Sequence, residues 1–321
     1  MKPRVSVVIP NYNGAEYLEN CLLSLGQQTM PGMEIIVVDD ASEDDSAKAL
    51  EERYPAVRFL FHETNGGFCK SCNDGVKAAK APYVILLNND TTCHKDFAKA
   101  LYKAIRRSPK IFSAQAKMVS MQNPEVLDDA GDGLTIMGWA FAPGKDKPAE
   151  RLRKKKHIFS ACGGAAIYRK DVYLALGGLD EVHFAYFEDV DLGYRAKLQG
   201  YVNISVPAAV VYHAGSASSG SRYNAFKARY SGRNNFYFLW KNMPLWQLLL
   251  NGQWIFLGFF IKSIFYIKKG LGKEYLAGLW EGMKLTKEHR DKKVDFHKVP
   301  IRNVLKVQVE LYYWTIRRIC G

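Results

Sequence analysis

The stretch Val5-Ser-Val-Val-Ile-Pro-Asn-Tyr-Asn13 joins a short β-branched apolar run to an abrupt polar end. The uninterrupted apolar run over residues 5–9 indicates a buried strand that ends at Pro10. In the next segment, residues 16–28, apolar side chains recur three or four positions apart, the spacing of an amphipathic helix. The chain is therefore predicted to open with a strand, a polar loop and a helix.

The same alternation continues for about a hundred residues. Further strands are predicted at 34–38, 57–61 and 83–87, and further helices at 46–54, 70–79 and 97–107. Strands that alternate with helices are typical of an open, mostly parallel α/β sheet. Residues 111–160 are less regular, and we expect loops and a smaller antiparallel part there.

Polar residues follow three of the predicted strands, at the point where each strand ends. They are Pro10–Asn13, Asp39-Asp40 and Asn88-Asn89-Asp90. Ligands of such sheets bind beyond the carboxyl ends of the strands, so these residues are predicted to share one edge. A carboxylate such as Asp90 suits Mg²⁺ or Mn²⁺, although a helix cap is the simpler use of a lone Asp.

A second acidic cluster, Glu188-Asp189-Val-Asp191, follows the aromatic segment 184–187. Its carboxylates could serve as a general base or as metal ligands, or they could complement the dipole of a helix N-terminus. Aromatic neighbours would raise the pKa of a carboxyl group, which suits a base. His213 follows a predicted strand at 202–211 and could be a metal ligand, although a lone histidine is more often structural.

Composition describes a folded and basic protein. The 321 residues are 48% apolar and carry a net charge of +13. The segment 262–321 has 14 basic and 6 acidic residues, and a second basic run occupies 151–156. Such clusters favour an anionic partner, either nucleic acid, a phosphorylated substrate or anionic lipid, or they are solvated faces. With scattered cysteines and no signal peptide pattern, we expect a reducing, cytoplasmic location.

The C-terminal part has a different character. Residues 245–267 contain a single charge, Lys262, in a run long enough to span a membrane. Polar residues such as Gln247 and Asn251 interrupt the run. Helices lying in a membrane interface are favoured over simple packing on the α/β domain, and both are favoured over a true span.

Taken together, these pieces resemble the family 2 glycosyltransferases, which are nucleotide-sugar-dependent enzymes of the GT-A fold. The similarity runs over about residues 4–220 and is strongest to bacterial rhamnosyltransferase-like members that build surface polysaccharide. It is carried by residues 5–13, Val37–Ser42, Asn65–Phe68 with Asn73, Leu86–Thr91, Gly163–Ala165, Gly178–Asp180, Phe187–Leu192 and His213.

The resemblance implies a GT-A domain over residues 1–235, with a mostly parallel central sheet and a smaller antiparallel part. A helical, membrane-associating region over 236–321 would follow it. The implied reaction is inverting transfer of a sugar from a nucleotide-diphosphate donor to a hydroxyl of a glycan or lipid-linked glycan. This reaction would take place in surface polysaccharide synthesis at the inner face of the cell membrane.

The resemblance also implies roles for individual residues. Asp189 would be the catalytic base, and Asp90 with His213 would hold Mn²⁺ or Mg²⁺. Gly163, Gly164 and Glu188 would lie around the diphosphate and the acceptor. The implied nucleotide-binding residues are Pro10, Tyr12, Asn13, Asp40, Asn65, Asn73 and Asn89. Asn88 stands where the family has the first acid of its Asp-x-Asp motif.

An alternative of another class is a non-catalytic protein that binds a nucleotide sugar or anionic lipid on the same fold. The substitution at Asn88 keeps this alternative open. Nucleic-acid binding would account for the net charge but not for acids clustered at strand ends, and the sequence contains no nucleic-acid-binding motif. The donor sugar, its base, the acceptor and the linkage are left open by the sequence.

Overall fold

The computed structural model describes residues 2–215 and 223–320. Its strands are β1 Val5–Asn11, β2 Met33–Asp39, β3 Val57–Phe61, β4 Tyr83–Leu87, β5 Thr91–Cys93, β6 Ile111–Ser120, β7 Leu127–Asp129, β8 Gly133–Leu134, β9 Ala140–Phe141, β10 His157–Ile158, β11 Ala165–Arg169 and β12 Val202–His213. Its helices are α1 Leu18–Gly26, α2 Ser46–Glu51, α3 Gly67–Ala78, α4 Phe97–Ile105, α5 Lys170–Ala175, α6 Glu188–Leu198, α7 Ala225–Asn242, α8 Leu245–Lys268, α9 Gly272–Glu288 and α10 Ile301–Cys320.

The central sheet follows the order β10-β12-β6-β11-β4-β1-β2-β3, with β5 beside β12 and β7 beside β6. The pairs β1/β2, β1/β4, β2/β3 and β6/β12 are parallel. Strand β11 runs antiparallel to both of its neighbours, and β8/β9 form a separate antiparallel pair. The predicted α/β fold, mostly parallel with a smaller antiparallel part, is confirmed.

Helices cover both faces of the sheet because its strands are apolar on both sides. Leu18, Cys21 and Leu25 of α1 pack on one face with Val5 and Val7. On the other face α3 lies so close to β1 that a side chain at Gly75 would overlap Val8. This packing fixes the positions of the carboxyl ends of the strands, so that the polar residues that follow them lie along one edge of the sheet.

Strand β6 is the main element that the sequence analysis does not predict. It spans ten residues in the middle of the sheet, within the segment expected to be irregular. Ser113, Gln115 and Lys117 alternate with apolar residues, so a local strand pattern is present there. The alternation does not mark an exposed face, because Ser113 and Gln115 are buried and Ser113 Oγ donates a hydrogen bond of 2.8 Å to Asn203 of β12.

Helix α7 runs through the predicted boundary between residues 235 and 236. It is tied to the α/β part by Lys241, whose buried ammonium lies 2.6 Å from Asp180 and 2.9 Å from Asp191. Asn242 donates a further hydrogen bond of 2.6 Å to Asp191. Helix α7 also packs closely on α9, where a Cβ at Gly278 would overlap the Arg229 carbonyl. It therefore contacts both the α/β part and the C-terminal helices.

Helix α8 buries polar side chains against the protein and exposes apolar ones, the reverse of an ordinary amphipathic helix. Gln247 and Asn251 are fully buried and hydrogen-bonded to Gln308 of α10. Leu249 and Phe256, by contrast, are 73% and 74% exposed. Within residues 2–215 and 223–320, α8 is the one helix long and apolar enough to cross a membrane, by length and composition alone. Its polar side is packed on the protein and its apolar side faces outward.

Candidate active site

A cleft of about 980 Å³ opens at the carboxyl ends of β1 and β4. One side, the sheet-edge wall, consists of residues 10–12, Asp40, Asn65, 88–90 and His213. A second group of lining residues, the far wall, consists of Asp132, residues 184–190 and Lys262. Gly163 and Gly164 also line the cleft. The structure thus brings Tyr12, Asp40, Asp90, Asp189 and His213 to a single cleft, although they are distant in the chain.

The sheet-edge wall is held together by one buried amide, that of Asn11. Its Nδ2 donates to Asp39 at 2.8 Å and to Ser46 at 3.0 Å, and its Oδ1 accepts from Asn89 Nδ2 at 2.8 Å. Asp39 also accepts from the hydroxyl of Ser42 at 2.7 Å. The ends of β1, β2 and β4 are therefore fixed relative to one another by satisfied buried hydrogen bonds.

Asp40 is buried at the base of this wall and is oriented by three neighbours. Its Oδ1 pairs with His62 Nδ1 at 2.7 Å and accepts from the Gly66 N–H at 2.9 Å, and its Oδ2 accepts from the Gly67 N–H at 2.7 Å. Gly67 adopts a φ of +84°, where a Cβ would lie 2.5 Å from the ring of Phe184. The glycine therefore lets the backbone close around the carboxylate, which can still accept from a ligand.

Asp90 and His213 meet because β5 and β12 pair antiparallel, with His213 opposite Thr91. His213 Nε2 lies 3.3 Å from Asp90, and its Nδ1 lies 2.6 Å from Asp128. Burial disfavours a charged ring, but the hydrogen bonds to Asp128 and Asp90 raise the pKa of His213 to about 9. This pairing places an imidazole beside a carboxylate at the sheet edge.

The residues present fit a divalent cation in part. Oδ1 of Asp90 is buried and faces His213 Nε2 at 3.3 Å. A carboxylate oxygen and an imidazole nitrogen, once the ring is neutral, are both ligands that Mn²⁺ accepts. Among residues 2–215 and 223–320, no group of three or more His, Cys, Asp or Glu side chains could hold a metal alone. A cation here needs further oxygen ligands, which substrate phosphates commonly supply.

The far wall carries carboxyl groups that are poorly solvated. Burial raises the pKa of Asp189 to about 6, and the negative charge of Asp129 adds to this. Glu188 is buried, and burial together with the charge of Asp189 raises its pKa well above the usual range. Burial and the charge of Asp129 raise the pKa of Asp132 in the same direction. A carboxyl group with a pKa near neutrality is suited to accept a proton from a substrate hydroxyl.

The segment before Asp189 has an unusual backbone. Three of its residues have positive φ, namely Phe184 at 62°, Tyr186 at 69° and Phe187 at 69°. Asn234 of α7 holds this segment by donating to the carbonyls of residues 183, 185 and 186, at 2.9, 2.7 and 2.8 Å. Strained backbone of this kind persists only where its surroundings fix it, and it is common at functional sites.

Two residues that were expected to bind the nucleotide lie outside the cleft. The side chain of Asn13 accepts a hydrogen bond of 2.9 Å from the backbone of Glu43. Asn73 is buried, donates to the Leu179 carbonyl at 2.8 Å and accepts from Tyr173 at 2.8 Å. These contacts tie loops and helices together and leave neither amide on the cleft surface.

Other residues of the cleft were not indicated by the sequence. Asp132 follows a short strand in the segment expected to be irregular, and no pattern in that segment singles it out. Asn234 looks like an ordinary helical residue in the sequence. Lys262 is the exception, since a single charge in a long apolar run is a signal. Its place in the cleft could not be derived without the packing of α8.

Comparison with known proteins identifies the family of the part of the chain that forms most of the central sheet. A sequence profile of the family described as "Glycosyl transferase family 2" matches residues 6–177. The chain belongs to glycosyl transferase family 2. The matched region contains β1 to β11 and so includes the whole sheet-edge wall apart from His213.

Several characterised or named glycosyltransferases are similar in sequence. An N-acetylglucosaminyl-diphospho-decaprenol L-rhamnosyltransferase of Mycobacterium tuberculosis (strain H37Rv) is 28% identical over 237 residues, 67% of this chain and 77% of the relative. The glycosyltransferase GlyG of Streptococcus pneumoniae serotype 4 is 33% identical over 109 residues, 33% of this chain and 36% of the relative. The family 2 assignment and its likeness to rhamnosyltransferases are confirmed.

Two solved structures share the fold. GalNAc-T7, solved with UDP, GalNAc and Mn²⁺, gives a TM-score of 0.58 at 19% identity and covers 75% of this chain and 50% of that one. The mannosyltransferase PcManGT of Pyrobaculum calidifontis, solved with GDP-Man and Mn²⁺, gives 0.54 at 16% identity and covers 99% and 88%. The GT-A fold is therefore confirmed, and the protein is a glycosyltransferase rather than a non-catalytic binding protein.

Proposed function

We propose that this glycosyltransferase moves a sugar, with inversion, from a nucleotide-diphosphate donor to a hydroxyl of a lipid-linked glycan in cell-surface polysaccharide synthesis. The observation that carries the proposal is the division of one cleft into two acidic sites. Asp90 and His213 lie on the sheet-edge wall, whereas Asp189 lies on the far wall. An in-line displacement needs separate groups for the leaving diphosphate and for the attacking hydroxyl.

The nucleotide would bind along the sheet-edge wall. Pro10 and Tyr12 offer an apolar and aromatic surface at the mouth, where Tyr12 is 39% exposed. Asn65 and Asn89 line the same side. Asp40 is already oriented by His62 and by two backbone amides, so its carboxylate can accept from a nucleobase N–H without rearranging. The satisfied network behind this wall supports a preformed nucleotide site.

The donor diphosphate would lie beside Asp90 and His213, which would hold a divalent cation together with it. Such a cation supplies positive charge that stabilises the departing diphosphate. Because Asn88 stands at the first acidic position of the family motif, the chain itself supplies fewer negative ligands. We therefore expect metal binding that depends strongly on the bound donor.

The acceptor hydroxyl would lie against Asp189, which takes its proton as the hydroxyl attacks the anomeric carbon. Burial and the charge of Asp189 raise the pKa of Glu188 well above its usual range, which favours the protonated form that can donate a hydrogen bond to the acceptor. Gly163 and Gly164 leave room beneath the reacting groups, since a Cβ at either position would come within 3.2 Å of Phe68 or Asn88. A larger residue at either position would narrow this floor.

A lipid-linked acceptor is supported by the C-terminal helices. The mycobacterial relative is named for an acceptor joined to decaprenol through a diphosphate. In the present chain the outward side of α8 is apolar and α10 carries Ile316 and Ile319, which are also exposed. The basic run 151–156 would add attraction to anionic lipid. Because the polar side of α8 is packed on the protein, the helix would lie on the cytoplasmic membrane surface rather than span it.

A panel of nucleotide sugars tests the proposed reaction. The protein is incubated with uridine, thymidine and guanosine diphosphate sugars, with Mn²⁺, with Mg²⁺ or with EDTA, and thermal shift and donor hydrolysis are measured. We expect one donor class to stabilise the protein and to be hydrolysed only when a divalent cation is present. Equal behaviour of every donor and no hydrolysis in any condition would contradict the proposal.

Sedimentation with liposomes tests the membrane contact. Wild-type protein should pellet with vesicles of phosphatidylcholine mixed with phosphatidylglycerol, and less so at high salt. Replacing Leu249 and Phe256 by Gln should weaken binding at least about tenfold, since each large apolar side chain contributes roughly 1.5–3 kcal/mol when buried. Leu23→Gln, on an exposed apolar residue of α1, is the matched control. Wild-type protein that stays in the supernatant would refute the contact.

A further inference from the structure

Lys262 is the single charged residue of α8 between its first residue and Ile267. Its side chain lines the cleft, although neighbouring residues of the helix point the other way. Ile261 and Ile264 are 41% and 39% exposed on the outward side. One helix therefore presents an apolar surface to the outside and a lone cation to the active-site cleft.

Close packing fixes the rotation of α8 that places Lys262 there. A Cβ at Gly258 would come within 2.9 Å of the Met137 carbonyl and 3.0 Å of Trp139 Nε1, so the helix approaches this loop as closely as a glycine allows. Lys262 follows one turn later on the same face. Its ammonium lies 5.8 Å from the ring centre of Trp139 and 6.0 Å from that of Phe187.

The ammonium of Lys262 has no acidic partner. Across residues 2–215 and 223–320 it makes neither a hydrogen bond nor an ion pair, and its contacts are the two aromatic rings. Burial lowers its pKa to about 8. A partly desolvated cation without a counter-charge is unfavourable by itself and is stabilised when an anion binds. The rings orient the side chain but do not neutralise it.

The location of Lys262 favours the acceptor over the donor. Lys262 contacts Phe187, which directly precedes Glu188 and Asp189 in the chain. Asp40 and Asp90, beside which the donor would bind, belong to the sheet-edge wall instead. An anion held by Lys262 would therefore lie beside the segment that carries the proposed base.

We propose that Lys262 is an acceptor-specificity residue that binds the phosphate group linking the acceptor sugar to its lipid. This inference rests on the proposed transfer to a lipid-linked glycan and names the residue that recognises the linkage. In such an acceptor the phosphate lies between the sugar, which enters the cleft, and the lipid, which stays in the bilayer. Lys262 lines the same cleft as Asp189 and belongs to the helix that carries the outward apolar surface.

The test compares ligands that differ in one feature. Farnesyl diphosphate serves as the probe of a lipid-linked phosphate, and farnesol is the same lipid without the charge. Binding of each is measured by calorimetry with Mn²⁺ and a saturating nucleoside diphosphate present, so that the donor side is filled. The proteins compared are wild type, Lys262→Met, Lys262→Arg and Lys268→Met, which removes one charge from the same helix outside the cleft.

We expect Lys262→Met to weaken the binding of farnesyl diphosphate at least about tenfold, because a charge-assisted contact is lost. The affinity for farnesol should not change. Lys262→Arg should keep most of the affinity, and Lys268→Met should match wild type. The affinity for the nucleoside diphosphate should stay within about twofold in every variant.

Three results would overturn the inference. They are equal affinity of wild type and Lys262→Met for farnesyl diphosphate, an equal loss for farnesol, or a loss confined to the nucleoside diphosphate. Failure of the proposed reaction is seen separately, because wild-type protein would then hydrolyse no nucleotide sugar while its binding of farnesyl diphosphate could still depend on Lys262. Transfer that proceeds while binding ignores Lys262 would reject the inference alone.

Discussion

The two walls of the cleft satisfy their carboxyl groups in opposite ways. On the sheet-edge side Asp39 and Asp40 accept hydrogen bonds from Asn11, Ser42 and backbone amides. On the far wall Oε2 of Glu188 makes no hydrogen bond within the described residues. Burial there raises the pKa of Glu188 and of Asp189.

This difference separates a scaffold from a reactive surface. Carboxylates that the protein holds by several hydrogen bonds keep a fixed orientation, which suits recognition of a constant group such as a nucleotide. A carboxyl group such as that of Asp189, whose pKa is raised to about 6, changes its protonation near neutral pH, which suits proton transfer. Substitutions on the sheet-edge wall should therefore lower the stability of the protein, whereas substitutions on the far wall should lower turnover.

The largest effect is expected on the far wall. Asp189→Asn should lower kcat by about a thousandfold, within the range for removal of a general base, because the amide cannot accept the hydroxyl proton. The affinity for the nucleoside diphosphate, measured by calorimetry, should stay near that of wild type. Asp45→Asn, on an exposed acid away from the cleft, provides the control. Retained turnover in Asp189→Asn would assign the base elsewhere.

A smaller effect, on stability, is expected from the sheet-edge wall. Asn11→Ala removes the hydrogen bonds to Asp39, Ser46 and Asn89 and leaves buried polar groups without partners. The free energy of unfolding should fall by about 2–3 kcal/mol, as measured by urea denaturation. Asn20→Ala, on an exposed amide of α1, should cost much less. Equal losses in the two variants would show that the network does not hold this wall.

The pH dependence of the reaction comes next. Asp189 acts as a base only when ionised, and its pKa is raised to about 6. The value of kcat/KM should therefore rise with pH through about 6 and fall about fivefold between pH 6 and pH 5. A profile that stays flat down to pH 5 would mean that another group, or no group, takes the proton.

The smallest effect concerns the stability contribution of Glu188. Since its folded-state pKa is raised, the folded protein binds a proton more tightly than the unfolded chain, and stability decreases as pH rises above the unfolded value. Glu188→Gln removes this loss. It should raise the unfolding free energy by on the order of 1 kcal/mol, more at pH 8 than at pH 5. A larger gain at pH 5 would reverse the assigned direction.

The sheet-edge wall is predictable from sequence because it depends on local patterns. Apolar runs such as 5–9 and 83–87 define parallel strands, and the residue after each run falls at the same edge. The register of the β1/β2 and β1/β4 pairs then places Asn11, Asp39 and Asn89 within hydrogen-bond distance. Short-range periodicity is sufficient for this part.

The far wall depends on tertiary packing that no local pattern records. Lys262 itself stands out in the sequence as a single charge in an apolar run. The direction of its side chain, however, is set by the contact of Gly258 with Met137 and Trp139. The positive φ of Phe187 depends on a segment fixed by Asn234, which lies almost fifty residues further along the chain. Strand β6 is different, since its alternation of polar and apolar residues is a local pattern and only the burial of Ser113 and Gln115 depends on neighbouring elements.

The reversed faces of α8 have a practical consequence for anyone preparing the enzyme. Because α8 exposes apolar side chains, truncation before it would be a common way to obtain a more soluble catalytic fragment. Cutting before Leu245 would remove Gln247, to which the buried Tyr194 hydroxyl of α6 donates, and would strip Lys262 from the cleft. The fragment would lose one cleft residue and a buried hydrogen-bond partner of α6, so the full chain is the better material for measuring activity.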